Sequence, residues 1–214
     1  MDLDGPLLDV SERYKTLHQD LLCDFDSIPI PPDIYWERKR ERVPESAILE
    51  EFGMETLDVP YNRRRLELIE TDRYLALDHL WPWTIHTLSA IMTSHTLVLI
   101  TLRAKRDALE RQLVRLGLQE FFEAILSEPA TQPEALIKVR LIRDYLSQRR
   151  ASSTGHWVIG DTEADIRAGQ VLGMTTVAVC CGIRNDEQLT RLNPTYLIND
   201  IRELLRLIGI PENI

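Results

Sequence analysis

His156-Trp157-Val158-Ile159-Gly160-Asp161-Thr162-Glu163-Ala164-Asp165 is the stretch on which the reading of this chain turns. A short apolar run, Trp157 to Ile159, has the length and composition of a buried strand. It ends on a glycine and an aspartate, and the residues from Glu163 to Leu172 have the pattern of a helix. Thr162-Glu163-Ala164-Asp165 also reads as a capping box for that helix. Active groups of open α/β sheets lie beyond the carboxyl ends of the strands, and Asp161 sits at such an end.

Outward from this stretch the same alternation recurs. Thr96–Thr101, Thr175–Val179 and Tyr196–Ile198 read as further strands, and Phe122 to Leu126 as a short one. Lys105–Leu116 repeats Leu109, Leu113 and Leu116 on one face. Pro133–Leu146 repeats Leu136, Val139, Ile142 and Leu146, with Pro133 suited to a first turn. Asp200–Ile208 closes the chain as a helix. Strands separated by helices of this length predict parallel crossovers in an α/β sheet. Residues 11–80 differ. They contain no convincing strand, and Pro29, Pro31, Pro32, Pro44, Gly53 and Pro60 punctuate helical segments at Ser11–Leu22, Asp33–Arg42, Glu45–Phe52 and Tyr61–Leu68. A second, smaller helical unit inserted near the start of the chain is the expectation.

The chain begins Met1-Asp2-Leu3-Asp4-Gly5-Pro6. Two aspartates separated by one residue at a strand end point their carboxylates to the same side. With Asp161 and Asp165, Thr101 at the end of an apolar run, and Lys138 in the first turns of a helix, this order resembles the four motifs of the haloacid dehalogenase (HAD) superfamily of phosphohydrolases. The resemblance implies a Rossmann-like three-layer core with a parallel sheet, formed by residues 1–10 and 81–214. It implies a small helical cap of the C1 type at 11–80, as in phosphoglycolate-phosphatase-like members. It also implies an aspartyl-phosphate mechanism dependent on Mg²⁺. Asp2 would be the nucleophile and Asp4 the general acid and base. Thr101 would bind a phosphoryl oxygen, and Lys138 would neutralise charge. Asp2, the Asp4 carbonyl, Asp161 and Asp165 would hold the metal, which favours oxygen ligands. The substrate implied is a small phosphorylated metabolite. A β-phosphoglucomutase-like phosphomutase shares these motifs, and a non-catalytic HAD-fold binding protein is the reading from another class.

Two departures from the family pattern carry expectations. Pro6 stands where a threonine is usual, so the hydrogen bonding of that loop must differ. The family also has an apolar strand ahead of the first motif. Here only Met1 precedes Asp2, which would leave the nucleophile on a free terminus, in a truncated or an inactive protein.

The 214 residues suffice for one sizeable core and an accessory unit. A net charge of -9 argues against general nucleic-acid binding. Cys23, Cys180 and Cys181 make neither a disulfide framework nor a zinc site, as expected of buried thiols in a reducing cytoplasm. No signal peptide or membrane-spanning run is expected, since Leu97–Ile100 is far too short. The basic clusters Arg38-Lys39-Arg40-Arg42 and Arg63-Arg64-Arg65 read as solvated faces paired with Glu37, Glu41, Glu67 and Glu70. Trp36, Trp81, Trp83 and Trp157 read as packing residues, and His156 as structural.

Overall fold

The computed structural model describes residues 1–130 and 133–211. The elements run β1 (Leu8–Asp9), α1 (Ser11–Asp24), α2 (Pro32–Arg40), α3 (Glu45–Glu51), α4 (Asp58–Leu68), α5 (Asp72–Leu75), β2 (His79–Leu80) and α6 (Thr84–Met92). They continue β3 (Val98–Thr101), α7 (Arg106–Arg115), β4 (Ala124–Ser127), α8 (Glu134–Gln148), β5 (Trp157–Gly160), α9 (Glu163–Val171), β6 (Thr175–Val179), α10 (Asp186–Thr190), β7 (Tyr196–Ile198) and α11 (Glu203–Leu207).

β3 pairs in parallel with β4, and β5, β6 and β7 form a second parallel group. The first residues of the chain join the two. Met1 donates its amine to the Val98 carbonyl at 2.7 Å and accepts from the Ile100 N–H at 2.9 Å. On the other side, the Asp2 N–H donates to the Ile159 carbonyl at 2.9 Å. Residues 1 and 2 therefore occupy the middle of the sheet, and Met1, Asp2 and Leu3 are all buried. The expectation that Asp2 would hang on a free terminus is corrected: its backbone is held from both sides, because a parallel ladder alternates its hydrogen bonds between neighbours. Leu3, Leu7, Leu99, Val177 and Val179 build the main core around this strip.

Helices α1 to α5 enclose a separate apolar cluster that includes Leu17, Leu21, Leu22, Ile30, Ile48 and Leu49. The chain leaves for these helices after β1 and returns at β2. These two strands pair antiparallel, Leu8 against Leu80. Sequence reading missed this two-residue ribbon, which is too short to show a period. It also missed α5, α6 and α10. The Pro133 expectation shifts by one position: Pro133 precedes the helix and α8 starts at Glu134. The capping-box reading of Thr162 is also corrected. Its hydroxyl makes no bond to the helix N–H groups and donates instead to Asp165 Oδ2 at 2.7 Å. Pro6 is accommodated in a buried turn in which Gly5 N–H bonds Leu8 O and Leu7 N–H bonds Leu3 O, so the missing proline N–H is not needed. No described helix is long and apolar enough to cross a membrane.

Upstream of Met1, between the inner edges of β3 and β5, lies a cavity of about 570 Å³ lined by Val98, Ile100, Ile142, Leu146, Trp157 and Ile159 among others. Continuing the ladder alternation, the Val98 and Ile159 N–H groups face it. A chain carrying four or five apolar β-branched residues ahead of Met1 should seat them there as a strand. Two or three added hydrogen bonds and the apolar burial, about 2 kcal/mol net, should raise Tm by roughly 4–8 °C in a thermal melt. An unchanged Tm would show that the groove does not accept a strand.

Candidate active site

Three carboxylates and one ammonium meet at the carboxyl ends of the central strands. Asp2 leaves the sheet centre, Asp161 follows β5, and Asp165 lies in the first turn of α9. Oxygens of all three lie within 4.8 Å of one another, and all three residues are buried. Lys138, on α8 and 2% exposed, reaches them with Nζ 2.5 Å from Asp165 Oδ1 and 3.1 Å from Asp2 Oδ1. Its helix carries Ile137, Val139, Ile142 and Leu146 into the interior. The ammonium is therefore delivered by the packing of α8 against the sheet rather than by a mobile stem.

The space is fitted to the carboxylates. A Cβ at Gly5 would stand 2.0 Å from Asp161 Oδ2, and Gly5 has φ +95°, which favours glycine. A Cβ at Gly182 would stand 2.1 Å from the same oxygen. The Ile183 N–H donates to Asp161 Oδ2 at 2.5 Å, while Oδ1 is buried and has no partner. An orphaned carboxylate oxygen beside two further carboxylates is costly unless a cation satisfies it. One lysine against three aspartates leaves two negative charges, which one divalent cation balances. Oxygen donors of this kind suit Mg²⁺.

Charge without a cation is stored as protons. Burial pushes Asp2 up to about 7, with Lys138 opposing and Asp165 and Asp4 adding to the rise. Burial, then Asp2 and Asp165, push Asp161 well above the usual carboxylate range. Burial alone would lower Lys138, but Asp165 and Asp2 outweigh it and raise it. A bound cation reverses the carboxylate shifts.

Asp4 faces the other way. Its carboxylate takes Arg103 at 2.6 and 3.0 Å and Arg13 at 2.7 Å. Burial would raise it, but Arg103 and Arg13 outweigh burial and hold it well below the usual range. Both arginines also reach the fully buried Asp78, which Gln112 binds at 2.6 Å. Arg13 opens α1, Asp78 precedes β2, and Arg103 follows β3, so the two crossings between core and helical insertion meet at this cluster. Thr101 is buried at the end of β3, and its hydroxyl bonds to none of the described residues. The structure thus gathers Asp2, Asp161, Asp165 and Lys138, leaves Thr101 free at the strand end, and turns Asp4 toward arginines. Sequence reasoning did not single out Arg13, Arg103 and Asp78. A buried arginine has no signature in a helix as polar as α1, although Arg103 lies only two residues past Thr101.

The helical insertion is tied to the core on two sides. Arg42 pairs with Glu163 and Arg40 donates to the Cys180 carbonyl at 2.6 Å. Opposite, Glu70 accepts from the N–H groups of Ala104 and Lys105. The solvated-face reading of the basic clusters is therefore only partly right. Arg38, Arg63 and Arg64 pair with Glu41 or Glu67, whereas Lys39, Arg40, Arg42 and Arg65 turn inward or toward the core.

Residues 1–179 match the haloacid dehalogenase-like hydrolase family. The pyrophosphatase PpaX of Halalkalibacterium halodurans is 25% identical over 119 residues, 53% of this chain and 52% of that protein. The chain thus spans about half the length of the curated relatives it matches. Among solved structures, a HAD-superfamily hydrolase of subfamily IA from Geobacter sulfurreducens superposes with TM-score 0.70 at 16% identity, covering 97% of this chain and 94% of the other. YfnB from Bacillus subtilis, a HAD hydrolase solved bound to magnesium, superposes with TM-score 0.65 at 21% identity over 98% and 96%. The chain belongs to the haloacid dehalogenase-like hydrolases, with the HAD core and inserted helical cap that its sequence predicts.

Millimolar Mg²⁺ should raise Tm by selective binding to the folded state. The shift should grow as pH rises through about 7, where Asp2 loses its proton, and Asp161→Asn should abolish it. A shift that is flat between pH 6 and 8, or that survives in Asp161→Asn, would place the cation elsewhere.

Proposed function

We propose that this HAD-like hydrolase is a Mg²⁺-dependent phosphatase that removes the phosphoryl group from a small phosphomonoester through an aspartyl-phosphate on Asp2. The observation that carries the reading is the buried group of Asp2, Asp161, Asp165 and Lys138, with one carboxylate oxygen left unpartnered. Asp2, Asp161 and Asp165 would hold the cation together with the Asp4 carbonyl. When bound, the cation would supply positive charge to offset repulsion between a carboxylate and a phosphate dianion.

An Asp2 carboxylate oxygen attacks phosphorus, and the bond to the leaving oxygen breaks in line with that attack. Lys138, already 3.1 Å from Asp2, neutralises charge on the nucleophile and on the phosphoryl oxygens. The free hydroxyl of Thr101 donates to a phosphoryl oxygen. Asp4 protonates the leaving oxygen and later takes a proton from the water that splits the acyl phosphate. Between two arginines it is a poor acid, so the proton transfer requires its side chain to swing out of that cluster. The cap, residues 11–80 in this reading, excludes water and limits substrate size.

Pyrophosphate is a second substrate to assay, favoured by the naming of the PpaX relatives. The deciding experiment follows release of phosphate from p-nitrophenyl phosphate, pyrophosphate and a panel of small phosphomonoesters. Turnover should require Mg²⁺ and disappear in Asp2→Asn. Lys138→Ala should lose about 10²–10³ in kcat, the usual cost of one charged donor. Turnover that survives in Asp2→Asn would remove the covalent mechanism. Absence of Mg²⁺-dependent turnover across the panel, in a folded protein, would remove the phosphatase reading.

A further inference from the structure

The loop that carries Asp4 is held by a tryptophan that the hydrolytic group does not use. Trp81 follows β2, the strand by which the chain returns from the helical insertion. Its indole N–H donates to the Gly5 carbonyl at 2.7 Å. Its backbone N–H donates to the Leu7 carbonyl at 3.3 Å, and the Thr84 hydroxyl donates to the same oxygen at 2.9 Å. Residues 81–84 therefore hold two carbonyls of the buried turn that begins at Asp4.

The bond to Gly5 matters because of Pro6. The Gly5–Pro6 peptide has no N–H, so its carbonyl is the one handle by which a hydrogen bond can fix its plane. Among the described residues, the other donor to that carbonyl is the Cys181 thiol, at 3.7 Å, and a thiol is a weak donor. Gly5 itself restrains little, since it has no Cβ and its φ of +95° lies in a region open to glycine. The space beside it belongs to the carboxylate group, because a Cβ there would stand 2.0 Å from Asp161 Oδ2. The preceding peptide carries the Asp4 carbonyl, and its N–H donates to Leu8 O at 3.0 Å. A planar peptide held by one bond can pivot about it. The Trp81 bond supplies a second fixed point on the next peptide.

Packing alone does not account for this arrangement. Trp83 lies parallel to Trp81, with ring centres 5.4 Å apart and 3° between the planes. Its Nε1 is buried without a hydrogen-bond partner, although a buried indole N–H usually finds one. The two indoles share one stack and differ in what their N–H groups do.

Resting on the cation site of the phosphatase reading, we infer that Trp81 is a positioning residue of that site: its indole N–H fixes the Gly5–Pro6 peptide and thereby aims the Asp4 carbonyl at the cation. Groups that orient the ligands of a metal commonly set about 10–100-fold of its affinity.

The test reads Mg²⁺ binding rather than turnover. Calorimetric titration of the wild-type protein should show a Mg²⁺ site that Asp161→Asn removes. Trp81→Phe should weaken that site by about tenfold or more, whereas Trp83→Phe, which disturbs the same stack, should leave it unchanged. Tm in EDTA reports the loss of packing in each variant separately. In the wild-type protein the Trp81 indole N–H resonance, assigned from its contacts with Gly5 and Trp83, should shift with Mg²⁺ along the same binding curve. Equal Mg²⁺ affinity in the wild type and Trp81→Phe would overturn the inference and leave the cation site standing, as would equal losses in Trp81→Phe and Trp83→Phe. An indole resonance that does not respond to Mg²⁺ would overturn it even if Trp81→Phe fails to fold. Absence of Asp161-dependent Mg²⁺ binding in the wild type would overturn the cation site itself, and the role of Trp81 with it.

Discussion

The backbone of Met1 and Asp2, hydrogen-bonded to β3 on one side and β5 on the other, is the constraint on which the rest depends. Without it, the two parallel groups β3–β4 and β5–β6–β7 share no ladder. With it, the sheet is continuous at its carboxyl end, and Asp2 is delivered there by main-chain bonds alone. A side chain set by the backbone of a sheet has little freedom left to lose, which suits the nucleophile role proposed for Asp2.

The site divides into two electrostatic halves joined by Leu3. Asp2 belongs to a carboxylate-rich half whose excess negative charge and orphaned oxygen match a divalent cation. Asp4, two residues further on, belongs to a half dominated by arginines. Two neighbouring aspartates are thereby pushed in opposite directions, Asp2 upward by burial and Asp4 downward by Arg103 and Arg13. Separation of two carboxyl groups by environment is how one site obtains two different roles from the same residue type. The second half also sits where both chain crossings to the cap meet. Arg13 and Asp78 flank the β1–β2 ribbon. The partners of Asp4 thus come from both units, Arg13 from the first helix of the insertion and Arg103 from the core.

The cap contributes more than coverage. Its interior is polar at the centre: His18 stacks on Tyr35 at 3.8 Å and bonds Tyr61, while Glu45 collects Lys39, Tyr35 and Arg65. Such a network fixes a unique arrangement when its members are satisfied. Two of its members, His18 at Nε2 and Arg65 at Nε, are buried without a hydrogen-bond partner at those atoms.

The sequence by itself determined the alternation of strands and helices from residue 96 onward, the helical character of residues 11–80, and the identity of the chemically distinctive residues. Strand and helix periods are local, and the Asp-x-Asp and Gly-Asp-x-x-x-Asp spacings act over a few residues, so both are legible in a single chain. Lys138 was legible for a related reason, since its helix has a plain apolar face. Tertiary structure decided what spacing does not encode. The main-chain slot of Met1 depends on strands about a hundred and more residues away. The pairing of Asp4 with Arg103 joins residues far apart in the chain, and the inward turn of Lys39 and Arg65 depends on how α2, α3 and α4 pack. Burial and long-range ion pairing arise only when distant segments meet, and a charged side chain reads the same in sequence whether it faces water or an interior carboxylate.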